Sequence, residues 1–385
     1  MRVVSSYWPR PERAHNAFFE VDQVRAFAEL GHDVDVMVQT VPWKRGAAFL
    51  KAEDLELDPE RVHIEQVVMP RLPEALSRRE ALARLNVRAT GLRMQNLLKK
   101  RPAVDAIIVN GERNIGLSAG IWNRDEKHRV AMIVHGADPV LECLPQGCLH
   151  VNNGSAVGAG LARVILVGNR LRSYAAHVGY APERVAVIAN GFRHPAPPKV
   201  PIEARNGPVR LIAVARLVPV KGIDDALVAL SYILAEKPEL DWAFDILGDG
   251  PEREALEALT TRLGLTERVH FHGAVPHSNV LRALEGSDIF LLPSWNEAFG
   301  LAYLEAMAMG NAVVGCLENG AADILTNGVD GCLVPPRDVS ALSALLTKLM
   351  VDREMRLTLA SAAIRNVKRF SWESNARAIL RMLDD

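Results

Sequence analysis

"VRLIAVARLVPVKGIDDALVAL", residues 209 to 230, sets a short aliphatic run before a basic loop and then a segment that begins a helix after Gly222. An apolar run this short, bounded by turn residues, reads as a strand buried on both faces. The same order of strand, loop and helix-length segment recurs downstream at "WAFDILGDG" (242–250), "RVHFHG" (268–273), "DIFLLPS" (288–294), "AVVGC" (312–316) and "GCLVPP" (331–336). Such alternation predicts parallel strands joined by crossover helices.

The alternation also runs through the first half, at "RVVSS" (2–6), "DVDVMVQT" (33–40), "VDAIIVN" (104–110), "RVAMIVHG" (129–136), "ARVILVGN" (162–169) and "RVAVIANG" (184–191). In the first helix Ala17, Val21, Val24 and Ala28 share a face, and Gly31 stands where a C-terminal cap is expected. Between the halves lies "HPAPPKVPIEARNGP" (194–208), whose prolines fit neither a helix interior nor a central strand. The predicted class is α/β, with an N-terminal Rossmann-like domain at 1–193, a linker at 194–208, a C-terminal Rossmann-like domain at 209–368 and a last helix at 369–385.

A length of 385 residues agrees with two domains, and two domains predict a cleft. With 49% hydrophobic and 24% charged residues and a formal charge of -1, the chain has the composition of a globular protein without global attraction to nucleic acid. No apolar run reaches the length of a membrane span, and "MRVVSSYW" reads as a strand rather than a signal peptide, so a cytoplasmic location is expected. Cys143, Cys148, Cys316 and Cys332 lack the paired spacing of a zinc site and are expected as reduced, packed thiols.

Ligands of open parallel sheets bind beyond the carboxyl ends of the strands. There, Arg216 and Lys221 precede a helix N-terminus and form a candidate diphosphate clamp, the alternative being solvated surface charges. Gly248 and Gly250 in "LGDGP" allow a tight turn but lack dinucleotide-site spacing, and an ordinary strand-to-helix connection accounts for them equally. "SWNEAFGLAYLEAM" (294–307) carries Glu305 into a helix apolar on nearly every face, ending at Gly310. A buried carboxylate needs donors, which a protein group or the vicinal hydroxyls of a ribose would supply. Glu297 lies nearer the mouth of the predicted cleft, and the amides of Phe299, Gly300 and Leu301 at a helix start suit a phosphate.

Glu297 and Glu305 within "NEAFGLAYLEAMAMGNAVVG", together with "ARLVPVKG", "LGDGP", "VHFHGAV" and "NGVDGCLVPPRD" in this order, resemble the family-4 retaining glycosyltransferases of GT-B fold, across most of residues 184–372. The resemblance implies two Rossmann-like domains whose parallel sheets face each other across a cleft, with the last helix crossing back to the first domain. It implies that Arg216 and Lys221 bind the donor diphosphate, Glu305 the ribose and Glu297 the transferred sugar, while the backbone near Ala274 and Val275 holds the base. It also implies a catalytic role for His135 in "MIVHGADP", with Asp138 close by. The first loop, "WPRPERAHNAFFEVDQV", departs from the family's glycine-rich pattern, and Arg10, Arg13, His15 and Asn16 are candidates for polar contacts to sugar or acceptor.

Residues 71–101 hold nine Lys or Arg against two Glu, with Leu82, Leu85, Ala89 and Leu92 as a helical stripe and Arg84 and Arg88 turned away. This basic helix either covers the first domain's sheet or lies on an anionic membrane beside a lipid-linked acceptor. The expected function is metal-independent transfer of a sugar, with retention, from a nucleotide-diphosphate sugar to a glycan or lipid-linked hydroxyl acceptor in cell-surface polysaccharide or glycolipid synthesis. No cofactor or metal is expected, since the sequence shows no convincing DxD-type carboxylate pair, and the formal charge of -1 gives no ground for a nucleic-acid partner. The other readings are a noncatalytic nucleotide-sugar-binding homologue, a sugar-nucleotide epimerase and a phosphorylase of the same fold.

Overall fold

The structure, a computed structural model, describes residues 1–5, 8–9, 18–40, 49–69, 80–111, 123, 127–137, 163–193, 198 and 207–384. Of the expected linker only residues 198, 207 and 208 are among them. The chain divides into one compact unit of Met1–Arg193 with Phe370–Asp385 and a second of His194–Arg369.

In the first unit the order is β1 (Arg2–Ser5), α1 (Phe18–Glu29), β2 (Val34–Thr40), β3 (Val62–Val68), α2 (Glu80–Leu98), β4 (Ala106–Asn110), β5 (Arg129–Val134), β6 (Arg163–Leu166), α3 (Leu171–Val178) and β7 (Val185–Val187). The strands form one parallel sheet in the order β3-β2-β1-β4-β5-β6-β7. The order in which successive strands are added reverses between β1 and β4, the switch point at which α/β sheets bind ligands. β1, β4 and β5 are buried along almost their whole length, as expected of central strands of a parallel sheet. β3 was not among the expected strands: His63, Glu65 and Gln66 interrupt its apolar run, which an edge position with one partner tolerates.

On α1, Val21, Val24 and Ala28 are buried as expected, and Gly31 takes the left-handed conformation after the helix. Glu20 and Gln23 are buried on the same helix, which apolar periodicity does not anticipate. Of the two readings of α2, the structure departs from the sheet-covering one: its buried face carries Val87, Thr90 and Met94, while Leu85 and Leu92 of the expected stripe are 61% and 48% exposed. Leu85 and Leu92 face outward, as do Arg88 and Arg93. The side chain of Arg84 lies outside the described residues.

The second unit continues with β8 (Val209–Val214), α4 (Ile223–Glu236), β9 (Trp242–Leu247), α5 (Arg253–Arg262), β10 (Val269–Gly273), α6 (His277–Glu285), β11 (Ile289–Leu291), α7 (Leu301–Ala308), β12 (Ala312–Cys316), α8 (Gly320–Ile324), β13 (Cys332–Val334), α9 (Val339–Val351) and α10 (Arg353–Asn366). Its parallel sheet has the order β10-β9-β8-β11-β12-β13, with the switch point between β8 and β11, where Leu211 and Ile212 pair with Ile289 and Phe290. Leu211, Ile212, Phe244, Ile246, Phe290 and Val313 are fully buried, each stabilising the fold by about 1.5–3 kcal/mol through removal from water. Cys316 and Cys332 are buried free thiols, and burial pushes Cys316 up to about 12. Cys143 and Cys148 lie outside the described residues.

The last helix, α11 (Trp372–Asp384), belongs to the first unit, where it packs on α1 and β5 and Arg129 pairs with Asp384. Ser371 forms an isolated parallel bridge with Phe192, which ties the helix start to the end of the β7 segment.

Candidate active site

At the switch point of the second unit, the loops that follow β8 and β11 are locked together. Ser294 Oγ and the Trp295 amide both donate to the Val220 carbonyl, at 2.9 and 3.0 Å. Gly222 sits in the left-handed conformation directly against Pro293: a Cβ there would lie 2.3 Å from the Pro293 carbonyl oxygen. Only glycine lets the two loops approach so closely, and the approach brings Lys221 Nζ onto Glu297 Oε2 as an ion pair. Both side chains are mostly buried, at 18% and 16% exposure, so the pair is screened less than a surface one. Arg216 is exposed in the same loop.

The start of α7 completes this corner. Gly300, at φ 95°, is its N-cap and carries no side chain to satisfy the first-turn amides, which a helix leaves without internal partners. A Cβ on Gly300 would meet the Tyr303 ring at 2.5 Å and the Glu297 side chain at 3.1 Å, so this glycine fixes where both stand. Tyr303 is fully buried and its hydroxyl donates to the Leu292 carbonyl at 2.7 Å, tying α7 to the end of β11. Burial together with the Glu297 charge raises the Tyr303 pKa well above its usual range, so it remains a neutral donor.

Asn319 is the staple between neighbouring loops. Its Oδ1 caps α8 by accepting from the Ala321 amide at 3.0 Å, and its Nδ2 donates to the Ser294 carbonyl at 2.7 Å. The Glu297 carbonyl in turn accepts from the Gly320 amide at 2.9 Å. These bonds hold residues 294–300 from below and leave Glu297 oriented by backbone on one side and Lys221 on the other.

Glu305 lies one turn into α7 with a side chain 15% exposed, and its donor is a residue that sequence reading missed: His277 Nε2 lies 2.8 Å from Oε1. His277 is the first residue of α6, immediately after the segment containing Ala274 and Val275. The structure thus brings the β10 loop to Glu305, and the β8 loop to Glu297. The signal for His277 was weak, because a histidine after Val-Pro at a helix start has no spacing that marks it.

Asp224 and Asp225, in the first turn of α4, would oppose an anion at the β8 loop. Arg337 Nη1 lies 3.1 Å from an oxygen of each and compensates them, although burial still raises the pKa of Asp225.

In the first unit His135 follows β5 and is half-buried, its ring 4.6 Å from that of Phe19. Nε2 lies 3.0 Å from Asn110 Oδ1, at the end of β4. Burial lowers the His135 pKa to about 4, so the ring is neutral near pH 7. Asp138, Arg10, Arg13, His15 and Asn16 lie outside the described residues.

Residues 199–366 match the family model of glycosyl transferases group 1. A D-inositol 3-phosphate glycosyltransferase of Corynebacterium jeikeium is 32% identical over 177 residues, which are 45% of this chain and 42% of that protein. Over nearly full length, 95% of this chain and 94% of the relative, the chain is 26% identical to a protein of Salmonella typhimurium named as a colanic acid biosynthesis glycosyltransferase, WcaL. The first of these relatives is matched over less than half its length. Among solved structures, Anabaena HepE in complex with UDP-glucose has a TM-score of 0.71 at 20% identity, covering 100% of this chain and 98% of that one. That likeness shows a shared fold, the GT-B class of two Rossmann-like units.

Proposed function

From the match of residues 199–366 to the family model of glycosyl transferases group 1, we propose that the chain is a retaining glycosyltransferase that moves a sugar from a nucleoside-diphosphate sugar to a hydroxyl acceptor. The observation that carries this is the corner at the β8–β11 switch point, where Lys221, Glu297 and the uncapped start of α7 converge one turn from the mostly buried Glu305.

In this reading Arg216, Lys221 and the amides at Phe299, Gly300 and Leu301 take the diphosphate, each charge-assisted bond being worth about 1.5–3 kcal/mol before desolvation. Glu305 accepts from the ribose hydroxyls, with His277 as the neighbour that already orients it. The backbone at Ala274 and Val275 holds the base, and Glu297 faces the transferred sugar. The cations and amides stabilise charge on the departing diphosphate without a metal ion.

The bond between the anomeric carbon and the diphosphate oxygen breaks, and a bond from the acceptor oxygen forms on the same face. The acceptor proton passes to the departing phosphate, which keeps atoms and charge balanced and requires no enzymic base. His135, neutral at pH 7, binds a hydroxyl of sugar or acceptor in this scheme.

An acceptor of cell-surface polysaccharide or glycolipid synthesis agrees with the WcaL likeness and with α2. Leu85 and Leu92 stand exposed on a helix that also exposes Arg88 and Arg93 and is followed by exposed Lys99 and Lys100, a combination that suits an anionic lipid surface on the cytoplasmic side. No helix among the described residues is long and apolar enough to cross a membrane.

A thermal-shift panel of nucleotide sugars against wild type and Glu305→Ala tests the reading, because a ligand that binds only the folded state raises apparent stability. One donor that stabilises wild type and not the variant is expected. Absence of any shift at millimolar concentration would favour a noncatalytic homologue, and turnover without transfer to a hydroxyl acceptor would favour an epimerase or phosphorylase.

A further inference from the structure

We propose that Gln23, Asn110 and Asn375 are positioning residues that hold His135 in a single neutral tautomer, protonated at Nε2, so that Nδ1 can only accept a hydrogen bond from a substrate hydroxyl. The hydroxyl rests on the glycosyltransferase reading; the tautomer does not.

The half-buried His135, just after β5, and three buried side chains from β4, α1 and α11 form one line. His135 Nε2 lies 3.0 Å from Asn110 Oδ1, Asn110 Nδ2 lies 3.3 Å from Gln23 Oε1, and Gln23 Nε2 lies 3.1 Å from Asn375 Oδ1. Asn375 Nδ2 then lies 2.7 Å from the Ala189 carbonyl oxygen. Asn110, Gln23 and Asn375 are 0%, 1% and 5% exposed, so water does not complete their bonding for them.

The direction of every bond follows from the last one. A backbone carbonyl only accepts, so Asn375 must turn its NH2 towards Ala189 and its oxygen towards Gln23. Gln23 must then donate to Asn375 and offer its oxygen to Asn110. Asn110 must donate to Gln23 and offer its oxygen to His135. An oxygen facing Nε2 requires a proton on Nε2. The neutral ring therefore has its lone pair on Nδ1. Reversing any one amide would oppose two donors or two acceptors in a buried site and lose a bond on each side.

The chemistry is specific. A neutral ring with its only proton committed to Asn110 cannot donate to a phosphate or a carboxylate, and it has no proton to give a leaving group. It can receive a hydroxyl, which is the group that sugars and their acceptors carry. The line also gives the returning helix α11 a part in the site, since it contributes Asn375 to the orientation of a ring on β5's loop.

The test uses full-length protein labelled with 15N-histidine, with His135 assigned by the signals lost in His135→Phe and its tautomer read from two-bond 1H–15N correlations. Wild type at pH 7 is expected to show the neutral form protonated at Nε2. Gln23→Met releases the Asn110 amide to turn, and the tautomer ratio is expected to fall by about fivefold, the equivalent of one net hydrogen bond. Gln23→Glu keeps an acceptor facing Asn110 and is expected to preserve the ratio. A packing role alone predicts the reverse order, with the apolar isostere silent and the buried carboxylate disruptive. A wild-type ring protonated at Nδ1 or at both nitrogens at pH 7 overturns the proposal without any variant, as does a Gln23→Met spectrum identical to wild type. The expected tautomer in a protein that binds no nucleotide sugar would leave this inference standing and remove the functional reading.

Discussion

Replacing Glu20 by Gln should stabilise the first unit progressively as pH rises. The Glu20 side chain is fully buried beside the end of β1; Ser5 Oγ donates to one oxygen, and the other has no hydrogen-bond partner among the described residues. Burial pushes the carboxyl from its ordinary value near 4.5 up to about 8, with the Ser5 bond pulling the other way. In the folded state the group therefore holds a proton between these limits that the unfolded chain releases, so stability falls as pH rises through the interval. At about 1.4 kcal/mol for each factor of ten, the full interval amounts to about 5 kcal/mol. His135 acts with opposite sign: burial lowers it from 6.5 to about 4, so its contribution is fully present above pH 6.5 and is lost as pH falls towards 4. The two oppose each other between pH 4.5 and 6.5, and Glu20 acts alone above that. The gap between Glu20→Gln and wild type should therefore widen by about 2 kcal/mol from pH 6.5 to 8. Hydrogen exchange of peptides covering β1 and α1 is the suitable assay, because a two-unit chain has no single unfolding free energy. Comparing both proteins at each pH cancels the intrinsic exchange rate. A gap that stays constant between pH 5 and 8 refutes the reasoning.

Glu305→Ala is expected to weaken nucleotide-sugar binding about tenfold or more, the worth of a hydrogen bond to a charged group, while Glu297→Ala chiefly lowers turnover. Titration calorimetry and initial rates separate the two, and equal effects of both variants on both quantities would sink this division. Tyr303→Phe leaves the Leu292 carbonyl without its buried donor and should cost about 1–3 kcal/mol in the second unit, read by hydrogen exchange of the α7 segment; unchanged protection there contradicts the assigned role. Gly300→Ala imposes a Cβ on a left-handed residue against the Tyr303 ring, costing about 1–3 kcal/mol, and should abolish the nucleotide-sugar thermal shift. Leu85→Ser with Leu92→Ser should reduce sedimentation with anionic phosphatidylglycerol vesicles, leaving the thermal midpoint unchanged; undiminished sedimentation removes α2 as the contact.

Apolar alternation made every strand of the second unit legible, because strands covered on both faces leave an unbroken aliphatic run such as Leu211–Val214. It missed β3, where an edge position admits His63, Glu65 and Gln66. It left open whether the leucine stripe of α2 covers the sheet, and the face that is buried carries Thr90 and Gly91, which a count of leucines does not register. Glu297 and Glu305 stood out as charges in apolar surroundings, but their partners did not. Lys221 was visible only as a cation at a strand end, and His277 had no mark at all. Gly222 and Gly300 were legible as glycines near turns, whereas the Pro293 carbonyl and the Tyr303 ring that exclude any side chain there required the fold.

The residues that escaped sequence reading have one property in common: each is a polar side chain whose partner is far away in the chain. Arg337 compensates Asp224 and Asp225 from more than a hundred positions away, and Asn375 is 352 positions from Gln23. Local spacing identifies groups that must be solvated or bonded, but it cannot say by what. In both units the unanswered groups lie at the carboxyl ends of strands, where loops from different strands converge and a single polar residue can be reached from several elements. The second unit meets that convergence with an ion pair at Lys221 and Glu297, and the first with a line of neutral amides ending at His135. An ion pair answers a ligand of fixed charge, whereas a line of amides with one permitted direction answers a ligand that must donate. On the proposed glycosyltransferase reading, the second unit would receive a diphosphate and the first a hydroxyl.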